Sequence, residues 1–192
     1  MTRRVVPVAE GALRGAPLPL TLHKRSQNSI KRRMKLPIRN LITKHPFFKE
    51  LSEKHVEFFE EAAYTAHYPA GTYLFHEGNQ SDRFFYIVKG KVALEFNIPG
   101  RQMVSYETVP KEHIVGWSWL MPPHSWVFDG RAVREVEVVC FDGEKIRAEA
   151  EKDHELGFYL YRYFAGIMTR RILSSRMQLM DIYAKQKGSE YL

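Results

Sequence analysis

The stretch after Pro69 most restricts what this chain can fold into. Residues 70–109, "AGTYLFHEGNQSDRFFYIVKGKVALEFNIPGRQMVSYETV", are short apolar runs separated by turn residues. Gly71, Gly78 and Gly90 punctuate the stretch, and Pro99-Gly100 supplies the pair that a type II turn favours. Val92, Leu94 and Phe96 alternate with Ala93, Glu95 and Asn97, the pattern of a strand with one face buried. Closely spaced strands with frequent turns predict a small antiparallel barrel or jelly roll. The strands resume in "RAVREVEVVCFD" and stop at Asp142-Gly143.

Helical periods flank this core. Phe48, Leu51, Phe58, Phe59 and Ala62 recur at three- and four-residue steps, with Ser52 as N-cap and Glu53 in the first turn, where the helix dipole favours an acid. From about Glu144 the chain turns helical again, and "ELGFYLYRYFAGIMTRRILSSRMQLMDIYAKQ" carries Leu160, Phe164, Ile167, Ile172, Leu179 and Ile182 on one stripe. Leu156, Tyr163, Leu173, Met177 and Met180 widen it beyond what one barrel face needs. A second copy of the chain is the simplest partner, with Leu160, Phe164, Ile167 and Arg171 as the expected dimerisation face. A helix folded wholly onto its own barrel is the alternative.

The formal charge of +7 misleads as an average. Residues 1–44 hold eleven Lys/Arg and one acid (+10), so the remaining 18 Lys/Arg and 21 Asp/Glu give −3. The basic character belongs to the N-terminal segment, which weakens any nucleic-acid role for the folded part. Gly, Pro and like charges in residues 1–39 predict a flexible tail offering at most sequence-independent phosphate contact. The start "MTRRVVPVAEGALRG" lacks a secretory apolar core, and no run approaches the roughly 20 apolar residues of a membrane span. The one cysteine, Cys140, lies in the apolar run "VEVVCF", so no internal disulfide forms and a reducing, cytoplasmic setting fits.

Helical entry, Gly-punctuated β-roll and long C-terminal helix together resemble the cyclic-nucleotide-binding domain of catabolite activators, kinase regulatory subunits and gated channels. "YPAGTYLFHEGNQSDRFFYIVKGKVAL" carries the resemblance, "HPFFKELSEKHVEFFEEAA" is similar to the opening helix, and "VEVVCFDGEKI" to the last strand and short helix. The resemblance spans about residues 40–184. It implies a mainly β, α+β fold: an antiparallel, jelly-roll-like β-roll over residues 40–152, with an N-terminal helix. A long C-terminal helix over residues 153–192 follows. It also implies a regulatory role without catalysis.

All three tryptophans fall in "VGWSWLMPPHSWVFDGRA", residues 115–132, where the family keeps its phosphate-binding cassette. The resemblance implies a Gly-Glu pair, a short helix and then an Arg, with the Glu on the ribose 2′-hydroxyl and the Arg on the cyclic phosphate. Gly116 fits the Gly. The Glu position falls on Trp117, and the Arg position on Trp126, or on Ser125 if the loop is one residue shorter. The nearest cations, Arg131 and Arg134, lie too late, with Arg131 expected to face out. A buried phosphodiester without its cation costs several kcal/mol, about the whole of a micromolar affinity.

The candidate cassette is therefore Gly116, Trp117, Ser118, Trp119, Ser125, Trp126 and Arg131. Three readings remain open at this point. The site is altered for another small effector, it is plugged by the tryptophans and serves protein partners, or Arg131 swings in and a true cyclic-nucleotide receptor results. His124 and Ser125 are expected to face solvent. His67, His76, Glu77, His113 and His124 lack the spacing of a barrel metal centre, so no metal and no cofactor is expected. No catalytic motif is present. Only nine residues follow Tyr183, too few for a DNA-binding domain of roughly 50 or more, so groove readout and sequence-specific DNA binding are not expected.

Overall fold

The computed structural model of the protein describes residues 37–96 and 103–189. The basic segment 1–36 and the Pro99-Gly100 turn lie outside the described residues, as do the side chains of Leu179 and Ile182. Three short helices open the described chain: α1 (Ile38–Ile42), α2 (Pro46–Lys49) and α3 (Glu53–Glu61). Eight strands follow: β1 (Ala63–Tyr68), β2 (Tyr73–Phe75), β3 (Arg83–Lys89), β4 (Lys91–Phe96), β5 (Val104–Pro110), β6 (Ile114–Val115), β7 (Asp129–Ala132) and β8 (Val136–Asp142). Helices α4 (Gly143–Ala150) and α5 (His154–Ser189) close the chain. The strands form two antiparallel four-stranded sheets, ordered β1-β8-β3-β6 and β2-β7-β4-β5. This is the expected roll between helices.

The first sheet is buried on both faces over all but its His67–Glu137–Lys89 end, which explains the near-continuous apolar run of β8. Register pairs Phe85 with Cys140 and Ile87 with Val138 on the inner face, and Phe84 with Phe141 and Tyr86 with Val139 on the outer one. Inner residues meet Val92, Leu94, Val109 and Ala132 of the second sheet. Outer residues meet the helices in a cluster of rings. There Phe84 stacks between Phe141 (centroids 4.6 Å) and Trp119 (5.0 Å), and Phe164 of α5 meets Trp119 edge-on at 5.4 Å. Cys140 is a fully buried core residue whose thiol pKa burial pushes up to about 12.

Strand β4 departs from its expected alternation. Ala93 and Glu95 are as buried as Val92 and Leu94, because β4 lies between β5 and β7 and Arg131 of β7 pairs with Glu95. A tight approach sets Gly90, at φ 90°, where an added Cβ would collide with the Glu135 carbonyl. Ser52 does cap α3, accepting from the His55 amide at 3.4 Å.

The first half of α5 is core. Leu156, Leu160, Phe164 and Ile167 recur at helical spacing and are at most 8% exposed within their own chain. The expected dimerisation face must therefore be corrected: Leu160, Phe164 and Ile167 pack on the roll, and Arg171 pairs with Glu107 of β5 at 3.3 Å. The physical reason is that one helical stripe suffices to cover the outer ring cluster. What α5 leaves uncovered is another flank, with Phe158, Tyr161, Ile172, Leu173, Met177 and Met180 all at least half exposed.

His45 locks the entry segment to this core. Its Nδ1 caps α2 by accepting from the Phe47 amide at 3.2 Å, and its ring sits edge-on to Phe48, Tyr86 and Tyr163. Burial first, and then nearby His113, lowers its pKa from 6.5 to about 4, against a smaller opposing pull from Glu112. The folded state thus holds the neutral ring. This contribution to stability is complete above pH 6.5 and is lost as pH falls toward 4. Urea unfolding across this window should show the decline, and His45→Asn, which keeps a capping acceptor, should flatten it. An identical slope in the variant would refute the assignment.

Candidate functional site

Strand β6 delivers the chain into the loop at Gly116, whose φ of 94° only glycine adopts without strain. The next residues form a turn, with the Leu120 amide donating to the Trp117 carbonyl at 3.0 Å; the short helix implied by the family resemblance is absent. The loop does not gather its tryptophans into one pocket. Trp119 is fully buried in the helix-side ring cluster, where its carbonyl accepts from Arg147. Ser118 is buried beside it, and Trp117 is half-buried against the same cluster. Only Trp126 enters the roll.

Trp126 lies flat on Phe75 of β2, with centroids 3.9 Å apart and planes 15° from parallel, and Phe85 adds a third ring at 6.1 Å. Two glycines bracket this stack. A Cβ on Gly116 would come within 2.9 Å of the Trp126 ring, and one on Gly130 of β7 would collide with Phe75. The backbone on both sides is therefore stripped of side chain so that two large rings fit between. Backbone bonds hold Trp126 in place: its amide donates to the Asn79 carbonyl at 2.9 Å, and its carbonyl accepts from the Gly78 amide at 2.9 Å. The space left here is about 10 Å³, with Trp117, Phe128 and Arg171 among its walls. That holds at most one water, whereas pockets for drug-sized ligands run to roughly 300 Å³ or more.

Arg131 sits where strand alternation puts it, on the face of β7 opposite Gly130 and Ala132. It pairs in a bidentate manner with the buried Glu95 carboxylate, Nε to Oε2 at 2.8 Å, and this pairing raises the guanidinium pKa. The residue thus faces away from the roll interior. Ser125 and His124 are half-buried rather than solvent-facing, because backbone contacts to Gln80 and Ser81 draw the loop in. Phe75 and Gly130 were not legible as site residues from the chain alone. The one available signal was a glycine inside a strand, which marks close approach of another group.

Replacing Arg131 by Ala should strand the Glu95 carboxylate in the sheet and cost about 2 kcal/mol in urea unfolding. Glu95→Gln combined with Arg131→Met should recover most of that loss. Equal instability of the single and double variants would show that the pair does not act as described.

Within the described residues no helix is long and apolar enough to cross a membrane. Residues 65–153 match the family model of the Cyclic nucleotide-binding domain. No curated protein sequence matches the chain. Among solved structures, a Geobacter metallireducens protein named for cyclic nucleotide binding superposes with a TM-score of 0.63 at 24% identity, over 72% of this chain and 99% of that one. A cyclic nucleotide-binding domain from Methylobacillus flagellatus gives 0.63 at 16% identity, over 76% and 82%. The sensor domain of the transcriptional regulator DNR from Pseudomonas aeruginosa gives 0.60 at 18%, over 70% and 91%. Identities this low speak for the fold alone. Residues 65–153, which run from β1 through both sheets and the loop after β6 to the end of α4, thus carry the match to the cyclic nucleotide-binding domain family.

Proposed function

We propose that this protein is a non-catalytic regulatory or sensor module that takes no cyclic nucleotide inside its roll. The observation that carries this is the Trp126–Phe75 stack between Gly116 and Gly130, with about 10 Å³ left beside it. Counted from Gly116, the positions of the family's Glu and Arg fall on Trp117 and on Trp126 or Ser125 in this reading, none of which bears charge. A phosphodiester entering here would lose its hydration without gaining a charge-assisted donor. The alternative of a true cyclic-nucleotide receptor using Arg131 requires that residue to leave Glu95 and cross the sheet. A ligand-free module for protein partners is the second alternative. Any effector of the protein therefore binds elsewhere or after rearrangement of the loop.

The module works as a homodimer in this reading. Phe158, Tyr161, Ala165, Met168 and Ile172 follow one another at alternating steps of three and four on α5, on a flank turned away from Leu160, Phe164 and Ile167. Such spacing is the seam of a coiled coil, which self-pairing buries. The lone reduced Cys140 suits a cytoplasmic setting.

Two measurements test these statements. Ligand-stripped protein titrated with cyclic AMP and cyclic GMP should show unchanged tryptophan fluorescence and thermal stability. A saturable spectral change, with the stabilisation of about 2.7 kcal/mol expected at a hundredfold excess over Kd, would restore the receptor reading. In sedimentation, the native chain should run as a dimer and Ile172→Asp as a folded monomer. An unchanged dimer, or a native monomer, overturns the seam.

A further inference from the structure

We propose that a second cavity, between α5 and strands β5 and β6, binds a small organic anion through Arg170, Arg171 and the imidazoles of His45 and His113. The cavity measures about 290 Å³, against about 10 Å³ beside Trp126, so space for a ligand lies at the roll–helix junction. Glu107, Tyr163 and Ser174 complete its polar lining, and Val109, Ile114 and Ile167 its apolar floor.

The charge balance favours an anion. Arg171 is half-buried and pairs with Glu107 at 3.3 Å. Arg170 lines the same cavity and has no carboxylate partner among the described residues. Two guanidinium groups thus face one carboxylate. Glu112, the other acid near His45, is exposed and lies 3.6 Å from Lys111. An uncompensated guanidinium on a cavity wall presents a planar set of donors that match carboxylate and phosphate oxygens two at a time.

The histidines add defined donors. Nδ1 of His45 accepts from the Phe47 amide, which leaves Nε2–H as the donor. Nδ1 of His113 donates to the Lys111 carbonyl at 3.0 Å, which leaves its Nε2 as the ring nitrogen open to a ligand. Burial holds His45 neutral, and a bound anion favours its protonated form.

The position gives the site a consequence. Its walls come from the α1–α2 link, from β5 and β6, and from the stretch of α5 between Tyr163 and Ser174. Past Ile167, α5 is tied to the roll by the Arg171–Glu107 pair and by the Tyr106 hydroxyl, which donates to the Arg171 carbonyl at 2.7 Å. An anion competing with Glu107 for Arg171 acts directly on that tie. The ligand would therefore bias how α5, and the flank carrying Ile172, rests on the roll.

The test uses the full chain, with citrate as the carboxylate probe and glycerol 2-phosphate as the phosphate probe. Sodium chloride at matched ionic strength is the control. Calorimetric titration and the histidine proton signals are the readouts. At least one probe should bind saturably and shift His45 and His113, and Arg170→Gln should weaken it about 10-fold. Arg162→Gln, a surface cation removed elsewhere on α5, should bind as the native chain does. Whichever probe saturates names the headgroup. Binding no better than chloride, or undiminished in Arg170→Gln, would overturn the proposal. The roll reports separately through tryptophan fluorescence, so either conclusion can fail without the other.

Discussion

The first sheet is covered on both faces over all but its His67–Glu137–Lys89 end, and the rest of the molecule is arranged around that constraint. Cys140, Val138, Phe85 and Ile87 must be covered by the second sheet, while Phe141, Val139, Phe84 and Tyr86 must be covered by helices. Neither layer is optional, because an uncovered sheet face of this size would expose several large rings to water. The need for an outer cover recruits α2, α3, the cassette residue Trp119 and the first half of α5 into one ring cluster. Fold and candidate site are coupled through it: Trp119 belongs to the loop and packs edge-on against Phe164 of the long helix.

That coupling bears on regulation. Trp126 occupies the roll interior beside a space of about 10 Å³, and the larger space lies under α5. Arg171 contributes to the walls of both the remnant beside Trp126 and the larger cavity under α5. One half-buried cation on the helix thus pairs with the second sheet and shares a cavity wall with the cassette loop. Its own pKa is lowered, by burial first and against the pull of Glu107, as expected for a charge held with little water around it. A group so placed responds to any anion or carboxylate that changes its partners.

The fold was largely legible in the chain. Turn residues at Gly71, Gly78 and Gly90, the apolar run of β8 and the Ser52 cap are local signals, and local signals survive in one dimension. The entry helix was legible as helical but not as three pieces, since the break depends on His45 turning into a ring cluster built by distant residues. The uncharged, tryptophan-rich character of the loop was legible at Trp117, Trp119 and Trp126, because residue type is visible without coordinates. How the loop closes was not, because Phe75 lies 51 residues from Trp126 and meets it only across the roll, where Gly130 makes room for the Phe75 ring.

By itself the sequence determined the order of elements, the covered strand β8 and the impossibility of an internal disulfide at Cys140, since each follows from residue type and spacing. Tertiary structure alone decided three other matters. It split the tryptophans between two cores, because Trp119 packs with Phe84 and Phe164 under the helices whereas Trp126, seven residues on, stacks on Phe75 inside the roll. It assigned Leu160, Phe164 and Ile167 to the chain's own interior, because a stripe on a helix does not say which surface it will meet. It also left a charged cavity under α5, because a void forms between elements and belongs to none of them.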